Sequence, residues 1–155
     1  MRIGHGYDVH RLGPGVPLVL GGVPIPHKSG LIGWSDADVL THAVIDALLG
    51  AAGLGDIGAH FPPGDPQYKG ISSLVLLGHV SGLLAEKGYR VGNIDATVVA
   101  EQPRLREHID NMRTSLAKAL GCEPSVINIK ATTQEGLGFA GREEGMAAWA
   151  VALIE

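Results

Sequence analysis

Apolar and polar residues alternate in some segments of this chain, which predicts strands, and recur at every third or fourth position in others, which predicts helices. Residues Arg2 to Val9 alternate and predict a strand. Pro17 to Pro26 has the pattern of a hairpin that turns at Gly21-Gly22. Two further strands are predicted over Asn93–Ala100, where Ile94, Ala96 and Val98 face one way, and over Val126–Thr132.

Three segments place their apolar residues at helical spacing. The first is predicted to run from about Asp36 to Ala52, with Ser35 as its capping residue. The second covers Ser72 to Lys87, and the third covers roughly Arg106 to Leu120. Strands and helices therefore alternate along the chain.

The final segment, Gly145–Glu155, is ambiguous because its alanines favour a helix while its apolar residues occupy both faces, as in a buried strand. The whole pattern predicts an α/β fold of the two-layer α+β kind. One mixed sheet is covered by helices on one face, in a single domain over residues 1–155. The uncovered face would need burial, which a symmetric oligomer would supply.

Composition narrows the classes of function. The 155 residues carry a net charge of −4 with no basic cluster, so neither nucleic acid nor an anionic membrane is an expected partner. A single cysteine, Cys122, excludes an internal disulfide framework and a cysteine-rich zinc module. The chain shows no apolar signal core and no long apolar stretch, which favours the cytoplasm, or an organelle stroma after processing.

Asp8 and His10 are two residues apart on the first predicted strand, so their side chains leave the same face. A carboxylate oxygen and an imidazole nitrogen could thus point at one cation. The alternative is a hydrogen bond at the end of the strand.

His42 lies one helical turn after Asp38 and one turn before Asp46. It is either a surface histidine paired with Asp46 or a third metal ligand whose ring is oriented by an acidic neighbour. Two histidines and one aspartate leave one tetrahedral position open, as in catalytic rather than structural zinc sites.

Two loops carry further candidate chemistry. The acidic loop that includes Asp56 and Asp65 could hold the hydroxyls of a polyol, or could be a solvated surface loop. The turn over Lys130–Gly136 could cradle phosphate, with Glu135 as a ligand for Mg²⁺, or could simply cap the preceding strand.

Five segments together resemble the 2-C-methyl-D-erythritol 2,4-cyclodiphosphate synthase family over nearly the whole chain. They are Arg2-Ile-Gly-His-Gly-Tyr-Asp-Val-His10, Ser35-Asp-Ala-Asp-Val39 with His42, Asp46-Ala-Leu-Leu-Gly-Ala-Ala52, Leu54-Gly-Asp-Ile-Gly58, and Lys130-Ala-Thr-Thr-Gln-Glu135 followed by Gly138-Phe-Ala-Gly-Arg142.

The resemblance implies a homotrimer with its sheets around a threefold axis, active sites between subunits, and a final segment that is a strand. It implies that 4-diphosphocytidyl-2-C-methyl-D-erythritol 2-phosphate is cyclised with release of CMP, in isoprenoid precursor synthesis. An isoprenoid diphosphate could occupy an apolar channel on the axis.

The resemblance also assigns roles to residues. Asp8, His10 and His42 would hold Zn²⁺, and Glu135 would help to hold Mg²⁺ or Mn²⁺ between substrate phosphates. Thr133 would stabilise the transition state. The implied substrate contacts are Asp8, His10, Trp34, Ser35, Asp56, Ile57, Gly58, Phe61, Asp65, Ala100, Pro103, Arg104, Leu105, Arg106, Ala131, Thr132, Thr133, Glu135, Phe139 and Arg142.

The chain departs from the family at two of these places. Trp34 replaces a histidine thought to steady the transferring phosphate, so Ser35 or a backbone N–H group at the helix start would have to compensate. Pro63 replaces an aspartate of the acidic loop. These departures motivate an alternative function, a catalytically impaired trimer that binds a cytidine nucleotide or an isoprenoid diphosphate. An unrelated zinc hydrolase is a third hypothesis.

Overall fold

A five-stranded sheet with helices packed on one face forms the frame of the molecule, and the computed structural model describes residues 1–155. The strands are β1 (Arg2–Pro14), β2 (Leu18–Leu20), β3 (Val23–Ile25), β4 (Ser29–Ile32), β5 (Val91–Val99), β6 (Ile127–Thr132) and β7 (Gly145–Ile154). The helices are α1 (Val39–Ala52), α2 (Ile57–His60), α3 (Ser73–Glu86), α4 (Ile109–Leu120) and α5 (Gly138–Gly141).

The main sheet has the strand order β4-β1-β7-β5-β6. Strands β5 and β6 are parallel and all other neighbours are antiparallel, so the predicted mixed sheet is confirmed. The predicted hairpin forms a separate two-stranded sheet of β2 and β3, with the turn at Gly21-Gly22.

Alternation along β1 separates a helix-covered face from an outer face. Gly4 and Gly6 are buried against α1, while Ile3 and Tyr7 point to the outer face. A Cβ atom on either glycine would lie 1.9 Å from a carbonyl oxygen of α1. The helix therefore rests directly on the strand backbone, which only glycine permits.

The first helix begins at Val39, so the predicted start at Asp36 and the predicted cap at Ser35 are wrong. Asp38 is the capping residue, and its carboxylate accepts a hydrogen bond from the backbone N–H of Thr41 at 3.0 Å. Aspartate caps a helix as well as serine does, and spacing alone did not separate the two.

The third helix begins at Ile109, and a 3₁₀ turn over Arg106–His108 precedes it. Since both forms place residues at similar spacing, the sequence pattern merged them. The second helix agrees with the prediction to within one residue at each end.

The ambiguous last segment is a strand, as the resemblance implied. It lies in the middle of the sheet between β1 and β5, and alanines such as Ala148 and Ala150 fill its helix-covered face. A central position overrides the helical preference of alanine because both edges of the strand find hydrogen-bond partners. None of the helices has the length and apolar character needed to cross a bilayer.

Candidate metal centre and adjoining pockets

Asp8, His10 and His42 meet where β1 passes the first turn of α1. The Asp8 Oδ2 atom lies 2.9 Å from Nδ1 of His42 and 3.0 Å from Nε2 of His10. The two ring nitrogens lie 3.2 Å apart. The spacing argument from β1 and the assignment of His42 to the same cluster are therefore confirmed.

The alternative pairing of His42 with Asp46 is wrong. His42 is buried and contacts Asp8 instead, while Asp46 accepts a hydrogen bond from the backbone N–H of Ile57 at 2.7 Å. Burial raises the pKa of the Asp46 carboxyl, and neighbouring Asp56 adds to this effect. Asp46 thus anchors α2 rather than the histidine ring.

The acidic neighbours of His42 on α1 also do not orient its ring. Asp38 is fully buried and turns toward the hairpin, where its carboxylate accepts hydrogen bonds from the N–H groups of Gly21 and Gly22. The second ring nitrogen of His42, Nε2, instead faces the hydroxyls of Ser73 at 2.8 Å and Ser35 at 3.1 Å.

The donor set fits a divalent metal. Nδ1 of His10 lies 2.9 Å from the carbonyl oxygen of Ile32, which can only accept, so this nitrogen carries the ring proton and Nε2 is left as a lone pair. That lone pair faces a carboxylate and a second imidazole. Three such ligands for one cation are typical of zinc sites that keep a position open for substrate.

In the absence of a metal, the cluster attracts a proton. Burial works against ionisation of Asp8, but the adjacent rings of His10 and His42, which donate hydrogen bonds to the carboxylate whenever the cluster holds a proton, outweigh it and hold the pKa of this carboxyl well below its usual value. Burial also opposes protonation of His10, yet the Asp8 carboxylate raises the pKa of the imidazole. Cations are therefore favoured at this point.

An open pocket of about 300 Å³ adjoins the metal centre. It contains eight of the residues expected at the active site and three others from the same region. Its lining consists of Asp8, His10, Trp34, Ser35, His42, Ile57, Gly58, Phe61, Pro63, Tyr68 and Leu76. Tyr68 and Leu76 carried no sequence signal, since a buried leucine and a loop tyrosine are ordinary residues.

Trp34 lines this pocket and forms a hydrogen bond with the acidic loop. Its indole Nε1–H donates to the backbone carbonyl of Asp65 at 2.9 Å, and the Nζ atom of Lys69 lies 5.9 Å from its ring centroid. The only donor of the Trp34 side chain is thus already engaged, whereas Ser35 keeps its hydroxyl at the pocket wall.

A second pocket, of about 710 Å³, lies beside the carboxyl ends of β5 and β6. Its walls come from the two stretches that follow these strands, and both stretches were expected to contact the substrate. The expected residues that line it are Ala100, Pro103, Arg104, Leu105, Arg106, Ala131, Thr132 and Thr133. Glu101 also lines it, and its Oε2 atom accepts a hydrogen bond from the backbone N–H of Gln134 at 3.2 Å.

Two expected polyol contacts, Asp56 and Asp65, line neither pocket. Asp56 caps α2, and Asp65 caps the 3₁₀ turn over Pro66–Tyr68 while binding the Gln67 side chain. Both carboxylates therefore shape the loop around the first pocket.

The remaining expected residues lie on the surface after β6. Glu135 is exposed at a φ of 54°, and its carboxylate accepts a hydrogen bond from the Thr133 hydroxyl at 3.3 Å. Arg142 forms an ion pair with Glu144 at 3.0 Å, and Phe139 is half-buried in α5. A positive φ at a glutamate is uncommon.

The sequence matches known proteins along its whole length. Residues 1–155 match the YgbB family. A 2-C-methyl-D-erythritol 2,4-cyclodiphosphate synthase of Dehalococcoides mccartyi is 68% identical over 155 residues, which cover 100% of this chain and 99% of the relative.

Two solved structures show the same fold. The bifunctional IspDF of Campylobacter jejuni superposes with a TM-score of 0.95 and 43% identity, and the match covers 99% of this chain and 42% of that longer one. IspF of Plasmodium falciparum, in a complex with CDP, superposes with a TM-score of 0.86 and 32% identity over 99% of this chain and 94% of the other.

Proposed function

The chain belongs to the YgbB family, and we propose that it converts 4-diphosphocytidyl-2-C-methyl-D-erythritol 2-phosphate into 2-C-methyl-D-erythritol 2,4-cyclodiphosphate. In this reaction an oxygen of the 2-phosphate bonds to the β-phosphorus of the diphosphate. The bond from that phosphorus to the bridging oxygen breaks, and CMP leaves with this oxygen. The enzyme is thus a phosphorus–oxygen lyase of isoprenoid precursor synthesis.

The single observation that carries this proposal is the convergence of Asp8, His10 and His42 beside a pocket. Cyclisation brings two anionic phosphate groups together, and the Coulomb cost of doing so is lowered by cations near the reacting oxygens. Holding both ends of one substrate then makes the reaction a matter of positioning, for which no protein nucleophile is needed.

We assign Zn²⁺ to Asp8, His10 and His42, where it would withdraw charge from a substrate phosphate. Glu135 is the proposed ligand of a second ion, Mg²⁺ or Mn²⁺, shared with the phosphates of the leaving nucleotide. Its exposed carboxylate beside the Thr133 hydroxyl supports this assignment.

The two pockets divide the substrate between them in this proposal. The first pocket would take the erythritol phosphate, with Ile57, Gly58 and Phe61 as walls and Ser35 as a hydroxyl donor. The second would take cytidine between Ala100 and Arg106, with Thr132 and Thr133 at the diphosphate. The CDP bound by the Plasmodium relative supports a cytidine nucleotide as ligand.

We propose a homotrimer, a single domain per chain, in which neighbouring subunits complete each active site. The outer face of the sheet supports this, because Ile3, Tyr7 and Val151 expose apolar surface there. Phe139 and Arg142 would then lie toward an axial channel that could hold an isoprenoid diphosphate.

The bacterial Dehalococcoides relative supports a cytoplasmic location.

The alternative function, a binding protein without turnover, is not supported. The replacement of histidine by Trp34 leaves the metal-ligand group intact, and relatives at 60–68% identity carry the synthase name. The unrelated zinc hydrolase is set aside for the same reason, since the match extends from residue 1 to residue 155.

The proposal is tested by incubating the zinc-loaded protein with the diphosphocytidyl substrate and Mg²⁺, and following the products by mass spectrometry and ³¹P NMR. We expect equal amounts of CMP and cyclic diphosphate. Intact substrate in the presence of bound zinc would refute an active cyclase. Turnover that appears only in Trp34→His would identify Trp34 as the cause.

A further inference from the structure

A row of polar groups, fully buried at Ser73 and half-buried at Asp36, lies next to His42. Ser73, the first residue of α3, is fully buried, and its hydroxyl lies 2.8 Å from Nε2 of His42. The same hydroxyl contacts Oδ1 of Asp36. The backbone N–H of Ser73 donates to the other carboxylate oxygen of Asp36 at 2.9 Å.

The direction of each hydrogen bond in this row is fixed by its donors. Asp36 faces three of them, the N–H and O–H groups of Ser73 and the N–H of Asp38 at 3.2 Å, so its carboxylate acts as an acceptor. A serine has one hydroxyl proton, and that of Ser73 is given to Asp36. Toward His42, the Ser73 oxygen therefore offers only a lone pair.

From this geometry we propose that Ser73 and Asp36 are positioning residues that hold the His42 ring with its proton on Nε2. Nδ1 is then a lone pair, and it is the nitrogen that faces Asp8 and His10. The other tautomer would direct an N–H group at the Asp8 carboxylate, where its proton would occupy the place of a metal, and it would leave Nε2 with no proton to donate to the Ser73 oxygen. The arrangement pre-forms one ligand of the metal centre.

Ser35 also contacts Nε2 of His42, but it lies at the wall of the first pocket. Its oxygen lies 3.1 Å from Nε2 of His42, and it also accepts a hydrogen bond from the backbone N–H of Ala37 at 3.3 Å. Ser35 lines the first pocket, whereas Ser73 does not. Ser73 is thus the partner that no substrate displaces, and the tautomer of His42 depends on it.

The inference rests on the metal site but not on the cyclisation, because its readouts are zinc affinity and the ring tautomer. Groups that orient a metal-ligating histidine typically contribute about 10–100-fold to metal affinity. We expect Ser73→Ala to weaken zinc binding by a factor in this range, measured by chelator competition. Ser72→Ala is the matched control, since Ser72 is exposed and its side chain caps nothing.

The tautomer is read directly from long-range ¹H–¹⁵N spectra of the metal-free protein, in a buffer alkaline enough to keep the imidazoles neutral. In the wild type we expect the His42 proton on Nε2, and in Ser73→Ala a mixture of tautomers. A wild-type proton on Nδ1 would overturn the proposal even if the variant did not fold. Zinc affinity of a folded Ser73→Ala within about twofold of the Ser72→Ala control would overturn it as well.

Discussion

At the residue scale, the candidate metal site consists of three acceptor atoms that lie within 3.2 Å of one another. They are Oδ2 of Asp8, Nε2 of His10 and Nδ1 of His42. Such a group is unstable without positive charge, and either a proton or a metal ion supplies it. Metal uptake and proton release are therefore coupled, since the same lone pair of His10 binds both.

This coupling predicts opposite effects of pH on the metal-free and the zinc-loaded protein. The pKa of His10 is raised above its usual value of 6.5, so its contribution to stability is present below that value and is lost as the pH rises through the raised pKa. The lowered pKa of Asp8 contributes constantly over this window, because it is lost only in strong acid.

Thermal melts between mildly acidic and mildly alkaline pH measure the effect. We expect the melting temperature of the metal-free protein to fall as the pH rises, and the stabilisation by zinc to grow over the same interval. Parallel profiles with and without zinc would show that no proton is exchanged for the metal.

Removal of one ligand separates metal binding from folding. We expect His42→Ala to abolish stoichiometric zinc binding and turnover, because two ligands remain of three, while its circular dichroism stays native. His27→Ala is a suitable control, since His27 lines neither pocket. Normal zinc content in His42→Ala, measured by atomic absorption, would show that His42 is not a ligand.

Sequence spacing was sufficient to indicate the candidate metal ligands but not the side chains that contact them from other elements. Asp8 and His10 share a face by the geometry of any strand, and this holds in the structure. The Nε2 atom of His42 contacts the hydroxyl of Ser73, which is 31 positions away on another helix. The periodicity of one helix gives no information on residues of another. Helical spacing indicated Asp38 or Asp46 as the acidic neighbour of His42, because such spacing contains no information on residues from other elements.

At the scale of elements, the metal centre depends on how closely α1 approaches β1. Gly4 and Gly6 allow the helix backbone to lie against the strand, and this contact sets the distance from Asp8 to His42. The resemblance indicated both glycines as part of a motif, but the pattern of apolar residues did not show that they lie under a helix.

We expect Gly4→Ala to destabilise the protein by roughly 3 kcal/mol or more, because an added Cβ would lie 1.9 Å from the Ala47 carbonyl oxygen and the helix would have to move. Gly82→Ala is the control, since its Cβ would meet nothing within 4 Å and alanine favours helix by about 1 kcal/mol. Urea unfolding of both variants gives the comparison, and equal stabilities would contradict the close approach.

The last strand shows where local preference fails. An isolated Gly145–Glu155 segment would favour a helix, but β7 pairs with β1 over ten positions and with β5 on its other edge. The partners of a strand lie far away in sequence, so propensity alone could not identify it. The resemblance to a family supplied the missing information.

At the scale of the whole molecule, the sheet has one face covered by helices and one exposed. The exposed face carries Val151, which is 45% exposed, and Trp149, whose ring centroid lies 4.8 Å from that of Tyr7 with the two ring planes tilted by 47°. The sequence predicted the uncovered face and the need for a symmetric partner. It could not supply the area or the shape of the contact, which depend on the twist of the sheet.

We expect Val151→Asp to dissociate the proposed trimer and to reduce cyclase activity at least tenfold, because a charge would be buried without a partner in each subunit contact. Sedimentation velocity measures the assembly. Val75→Asp is the control, since Val75 is 47% exposed but lies on the helical layer. A Val151→Asp protein that sediments as the wild type would exclude this face as the interface.

The candidate metal ligands are also distant in the chain, since Asp8 and His42 are 34 positions apart and belong to a strand and a helix. An ion bound to both closes a loop through β2, β3 and β4, and it acts as a cross-link that the unfolded chain does not have. Its stabilising effect grows with free ion concentration, because only the folded chain presents all three ligands together. A bound ion at this site would then contribute to the stability of the folded protein in addition to any part that it takes in the chemistry.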